Sequence, residues 1–274
     1  MIVEWNVHMF SADLERYPFH PQAAYTPSPA RLERDPLTPY LRRMDEEGID
    51  YAVLVHPEPY GDEHRLVLDC LKREPRRLRG TCLFYPKDPE APRKLEALVK
   101  RAPLLVAVRF HAHRGKEQYL DSFADPGVRA LWQQAAELGL IVELHIGPNY
   151  AAQCAEAIQA FPDVPVVIDH LAEPKLGTAV EYAGVLGLAR FPNVYMKLSG
   201  INHFAADAPF YEHAKPFTKL VIDAFGPDHV VWGSGSPQIV DVHLADYSAD
   251  DRARVKGGNL ARLLKLGARK VTTP

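Results

Sequence analysis

IVELHIGPNYAAQCAEAIQAFPDVPVVIDH, residues 141–170, reads as one strand–helix–strand unit. The run 141–146 is short and apolar, as is 166–169, and both are rich in Val, Ile and Leu. That composition suits strands buried on both faces. Between them, 150–161 has the length and patterning of an amphipathic helix. A strand, a crossover helix and a second strand make a parallel pair. Each strand ends on an imidazole, His145 and His170.

The same unit repeats outward in both directions. Strands are expected at 3–7, 51–55, 80–84, 105–110, 194–198 and 230–233. Helical patterns lie at 39–47 (ended by Gly48), 63–74 (stopped by Pro75), 91–101, 126–138 (ended by Gly139), 178–189, 211–225 and 250–266. Asp250 is the expected N-cap of the last helix, with Asp251 favouring the same terminus. Eight alternations predict a parallel α/β sheet, and eight strands close a (β/α)₈ TIM barrel. An open doubly wound sheet is the alternative, but no GxGxxG follows an early strand.

The chain has 274 residues, close to the length of about 250 usual for such a barrel. With 47% hydrophobic and 24% charged residues it is neither disordered nor fibrous. A net charge of −3 without a basic stripe gives no electrostatic case for nucleic acid. No apolar run nears the roughly 20 residues of a membrane span. The start, MIVEWNVHMF, lacks a basic leader region, and three scattered cysteines suit a reducing compartment, so a cytoplasmic location is expected. No composition shift marks a boundary, so residues 1–274 are expected to form one barrel domain. Residues 11–39 form a long Pro-rich excursion carrying Tyr17, Phe19, His20 and Tyr25. It is expected to be an ordered cover over the barrel mouth.

Active sites of α/β barrels sit at the C-terminal ends of the strands. Seven of the 12 histidines fall there: His8, His56, His111, His113, His145, His170 and His203. Any one could be a hydrogen-bonded core or loop residue. Together they point to a metal site or an acid–base site, since imidazole serves both. Arg109 ends strand 4 and needs an anion, either an internal carboxylate or that of a substrate. Lys197 on strand 7 would donate to an oxyanion or pair with an acid. The pair His111 and His113 reads as a polar loop near Arg114 and Lys116, with a substitute metal site as the lesser alternative.

These residues carry a resemblance. NVHMFSADLERYPFHPQAAYTP, VELHIG, VIDHLAEP, VYMKLSG, VVWGSGSP and KGGNLARLL, in this order from Val3 to Leu264, are similar to the amidohydrolase-2 family of metal-dependent hydrolase barrels. The lactonases of that family, acting on 2-pyrone-4,6-dicarboxylate or on sugar lactones, are nearest in style. The resemblance implies hydrolysis of a carboxylate-bearing lactone or related cyclic ester. It implies catalytic roles for His8, His145 and His170, which would also be the ligands if a single divalent metal such as zinc binds. Arg109, Lys197, His56, Asn6 and Tyr17 would bind the substrate. Expected partners are a small anionic organic substrate and, as an open alternative, further copies of the chain in a homo-oligomer; neither nucleic acid nor membrane is expected.

Two positions depart from the family pattern. The first His of the strand-1 HxH pair is Asn6, a weak neutral ligand. The water-activating strand-8 Asp is Gly235, in the run from Trp232 to Pro237. Three readings follow. Hydrolysis proceeds with another base, among His8, His145, His170 and, more remotely, Asp241 and Glu143. Alternatively, acid–base histidines serve isomerisation, dehydration or cyclisation. In the third, the barrel binds without turnover.

Overall fold

The computed structural model describes residues 1–21, 23–112 and 119–267. Eight parallel strands follow one another in a single sheet: β1 (Val3–Val7), β2 (Tyr51–Leu54), β3 (Leu78–Leu83), β4 (Leu105–His111), β5 (Ile141–His145), β6 (Val166–Ile168), β7 (Val194–Leu198) and β8 (Val230–Trp232). β8 comes alongside β1 without a ladder between them among the described residues, so the barrel is nearly closed. The expected strands are all present, within two residues at their ends.

Helices α1 (Leu37–Glu46), α2 (Arg65–Arg73), α3 (Ala91–Arg101), α4 (Pro126–Glu137), α5 (Ala151–Ala160), α6 (Ala179–Leu186) and α7 (Lys215–Phe225) form the outer layer. After β8 come α8 (Gln238–His243), α9 (Ala249–Ala253) and α10 (Asn259–Leu263). The single helix expected over 250–266 is broken by a wide, π-like turn at Arg254–Gly258. Its N-cap is Ser248 rather than Asp250: the Ser248 hydroxyl accepts from the Asp251 amide, and the Asp251 carboxylate answers the Ser248 amide. That reciprocal bond satisfies two donors, which one acid at position 250 would not.

Strand side chains alternate between two cores. Leu54, Cys82, Val108, Phe110, Leu144, Ile168, Met196 and Trp232 face the helices, with Leu37, Leu95, Trp132, Ile158 and Val221 among their partners. Inside the barrel the lower layers are apolar: Val3, Trp5, Val53, Val55, Ala107, Ile141, Val167 and Val231, plugged by Leu260 from α10. Polar side chains begin directly above, one inward position further along β4, β5 and β7. Cys70, Cys82 and Cys154 are buried and unbridged, and burial pushes the Cys70 thiol up to about 12.

The described part of 11–39 is tied to the turn Glu58–Tyr60. His20 N–H donates to Pro59 O (2.7 Å), Ala24 N–H to Glu58 Oε1 (2.7 Å), and Ser11 N–H to the Tyr60 hydroxyl (2.9 Å). Among the described residues, no helix is long and apolar enough to cross a membrane.

Candidate active site

The floor of the barrel mouth is a buried charge cluster. Arg109 on β4 and Glu143 on β5 are cross-strand partners, and Lys197 stands at the equivalent depth on β7. Arg109 donates Nε–H to Asp169 Oδ2 (2.9 Å) and Nη2–H to the same oxygen (2.5 Å). Lys197 donates to Glu143 Oε1 (2.6 Å) and to Asp169 Oδ1. Trp5 Nε1–H adds a third donor to this floor, reaching Glu143 Oε1 at 2.9 Å. Two cations and two carboxyls compensate one another in a place that water does not reach, where an unpaired ion would be costly. Burial works against the Asp169 carboxylate, but Lys197 and Arg109 hold it well below the usual range. Burial pushes Glu143 up, and the neighbouring charge of Asp169 adds to this.

A row of four imidazoles stands on this floor. His111, His145, His170 and His203 meet in sequence, with ring centroids 4.8, 4.9 and 5.2 Å apart, each pair edge to face. Arg109 donates to His111 Nε2 (2.7 Å) and to His145 Nδ1 (3.1 Å). A guanidinium only donates, so His145 carries its proton on Nε2, which donates to Glu173 Oε1 (2.9 Å). His170 Nδ1 lies 2.8 Å from the Ser199 hydroxyl. Burial holds the His170 imidazole well below its ordinary pKa, so it is neutral.

The backbone after β6 sets this geometry. His170, Leu171, Ala172 and Glu173 take φ values of 51, 53, 56 and 46°, a left-handed run without a glycine. Each such residue costs about 1–2 kcal/mol, and such strain gathers at functional sites. The buried Leu171 and Ala172 side chains and the Tyr182 hydroxyl on Leu171 O (2.7 Å) hold the run in place. Gly200, itself at φ 66°, lets β7 pass His170: a Cβ there would stand 2.6 Å from His170 Cβ. Gly233 likewise makes room for Lys197 and Ser199, which a Cβ would meet at 2.6 Å.

His145 and His170 are therefore adjacent, as expected for a shared site. His8 stands apart from the tightest group, which is His145, Asp169 and His170, with ligand-type atoms within 4.8 Å of one another. His8 Nδ1–H donates to Val55 O (2.9 Å), leaving Nε2 as a lone pair; burial and then Arg109 lower its pKa to about 3. Asn6 sits at the irregularity between Trp5 and Val7, and its buried Oδ1 has no hydrogen-bond partner among the described residues. Arg109 and Lys197 take the internal-partner alternative, committed to Asp169 and Glu143. The other described residues of the expected site bond elsewhere. His56 Nε2 bonds to Gly61 O (2.8 Å), and its ring packs on His64 at 4.4 Å, behind the mouth. The Tyr17 hydroxyl donates to Asp69 (2.9 Å) on α2, outside the barrel. Asp241 pairs with Lys256 (2.6 Å) on the surface. Gly235 is exposed at φ 89°, its carbonyl accepting from Arg43 (2.9 Å). His113, Arg114 and Lys116 lie outside the described residues.

The sequence reading did not single out Asp169, Glu173 or Ser199. A two-residue period joins Lys197 to Ser199, as it joins Glu143 to His145, and Asp169 adjoins His170, so Asp169 and Ser199 had a signal. Glu173 had none, because a left-handed run has no helical or strand period.

The family pattern raises a divalent metal, and the donor set does not fit one. Of the tightest group, His145 has Nδ1 facing a guanidinium and Nε2–H on a carboxylate. Both Asp169 oxygens already accept from Arg109 and Lys197. A divalent ion would enter beside two fixed cations and need lone pairs that they occupy.

Residues 5–266 match a family model described as amidohydrolase. The 4-sulfomuconolactone hydrolase of Hydrogenophaga intermedia is 26% identical over 237 residues, 85% of this chain and 74% of that protein. The L-fucono-1,5-lactonase of Burkholderia ambifaria is 26% identical over 250 residues, 84% of each. A crystal structure described as a probable 2-pyrone-4,6-dicarboxylic acid hydrolase of Acinetobacter baumannii, with citric acid bound, superposes with a TM-score of 0.80 at 19% identity, covering 97% of this chain and 99% of that one. The barrel, the strand-end histidines and a match over nearly the whole chain agree: this chain belongs to the amidohydrolase family.

Proposed function

We propose that this chain hydrolyses a small lactone that carries an anionic group, at the mouth of the barrel and without a resident divalent metal. The observation that carries this is the imidazole row from His111 to His203, drawn from strand ends or the turns just after them and seated on a self-neutralised charge floor. Such a row supplies proton acceptors and donors at fixed positions, which opening a cyclic ester requires. The matching lactone hydrolases of the family support the choice of substrate class.

The committed ion pairs change how the anion would be held. Arg109 is engaged by Asp169, which leaves Arg31 of the segment 11–39 as a candidate cation. Its guanidinium lies over the Phe10 ring at 4.7 Å, and its charge acts on His8. It makes no ion pair among the described residues. The neutral His170–Ser199 pair offers one hydrogen bond to the developing oxyanion, from His170 Nε2–H or from the Ser199 hydroxyl according to the tautomer, and a preorganised donor of this kind is worth about 2.7–4 kcal/mol.

The test is ring opening, followed by proton release, across carboxylated, sulfonated and neutral lactones. Anionic lactones are expected to turn over, at a rate unchanged after exhaustive chelation. Turnover confined to metal-loaded protein would contradict the metal-free part. Saturable binding with no turnover of any lactone would contradict the whole.

A further inference from the structure

The left-handed run ends on Glu173, which is buried and accepts from two imidazoles at once. His145 Nε2–H reaches its Oε1 at 2.9 Å. His203 Nδ1 lies 3.1 Å from Oε1 and 2.9 Å from Oε2. A carboxylate only accepts, so the His203 proton sits on Nδ1 and Nε2 presents a lone pair. The His203 side chain is 36% exposed, against 4% for His145. Its Nε2 has no hydrogen-bond partner among the described residues.

The other imidazoles are less suited to taking a proton from water. His145 has both nitrogens engaged. His170 is buried within the row, with its Nδ1 engaged by the Ser199 hydroxyl. His8 Nε2 has no hydrogen-bond partner among the described residues, but its Nδ1–H rests on a neutral carbonyl, whereas that of His203 rests on a carboxylate. A carboxylate partner stabilises the imidazolium that forms on proton transfer more strongly than a neutral carbonyl does.

We propose that His203, oriented by Glu173, is the general base that activates water, taking the role of the strand-8 carboxylate absent at Gly235. This rests on the lactone-hydrolase reading above. His203 Nε2 takes one proton from water as the water oxygen bonds to the lactone carbonyl carbon, and the carbonyl electron pair moves onto its oxygen. When that pair returns, the ring C–O bond breaks. The proton held on His203 passes to the departing ring oxygen, so water and lactone give one hydroxy acid with nothing else consumed. Glu173 is the positioning residue: it fixes the tautomer and balances the transient imidazolium.

The experiment measures kcat and KM for wild type, His203→Ala, His203→Asn and Glu173→Gln on a carboxylated lactone that the wild type opens, with folding checked by circular dichroism. His203→Ala and His203→Asn are expected to lose about a hundredfold or more in kcat, with KM within about threefold. Imidazole added to the buffer should restore part of the rate to His203→Ala. Glu173→Gln is expected to lower kcat with KM little changed, and imidazole should not rescue it. A wild-type kcat in folded His203→Ala or His203→Asn, or a loss that falls wholly on KM, overturns the role of His203. Failure of the wild type to open any lactone overturns the lactone reading and this base with it.

Discussion

Replacing Asp169 by Asn would leave the Arg109 guanidinium and the Lys197 ammonium with one remaining carboxylate, Glu143, in a site closed to water. Stripping one partner from a buried ion cluster typically costs about 3–5 kcal/mol. Asp169→Asn is therefore expected to lose stability on that scale in urea unfolding, and to lose the hold on His145 with it. A midpoint equal to wild type would mean that the cluster is not what anchors the mouth. At this scale the sequence showed residues that obey a period: His145 and His170 stand at strand ends, and Arg109 and Lys197 recur on inward positions. It did not show their commitments, since whether Arg109 meets a substrate or Asp169 depends on approach across the barrel. Glu173 was illegible because four consecutive left-handed residues defeat any periodic reading.

The strands were legible because Val, Ile and Leu runs have no other good place than a sheet buried on both faces. The end of the chain was harder. One amphipathic pattern over 250–266 covers α9, a wide turn and α10, and the turn exists because Gly257 lets the backbone come close to β1. A Cβ at Gly257 would stand 2.7 Å from Met1 O and 2.7 Å from Val3 N. Neither atom can yield without moving the strand at the barrel's closure. Gly257→Ala is expected to destabilise by about 1–3 kcal/mol, the usual cost of overpacking, and to lower the melting temperature. An unchanged melting temperature would show that β1 has slack there. The need of the aromatics in segment 11–39 for packing partners was legible. The segment's attachment to Glu58–Tyr60 rather than to the mouth through Tyr17 was not, because Asp69 lies far away in sequence.

For the molecule as a whole, buried neutral histidines set the response to acid. Burial lowers His56 to about 4, and lowers His64 and His170 as well. In the unfolded chain these imidazoles bind protons near pH 6.5, as ordinary histidines do. As pH falls below that value the unfolded state gains protons that the folded state refuses, so stability falls. It keeps falling until the folded pKa values are reached, with a slope of up to about 1.4 kcal/mol per pH unit for each histidine. Asp169, held low by Lys197 and Arg109, acts in the same direction at lower pH, where the unfolded carboxylate protonates first. Unfolding free energy is therefore expected to drop steeply between pH 6.5 and pH 4. A flat profile over that window would contradict the burial of these rings as neutral groups. Barrel closure itself was legible from eight alternations and the chain length. The charge floor was not, because it is assembled from residues on four different strand ends.

The most direct test of lactone hydrolysis at this mouth is the mass of the product formed in water enriched in heavy oxygen. Hydrolysis adds one water to the anionic lactone and leaves one heavy oxygen in the new carboxylate, and this label is the predicted result. A product with the mass of the starting lactone, or one lighter by a water or by carbon dioxide, would show acid–base chemistry without an activated water and would contradict the account.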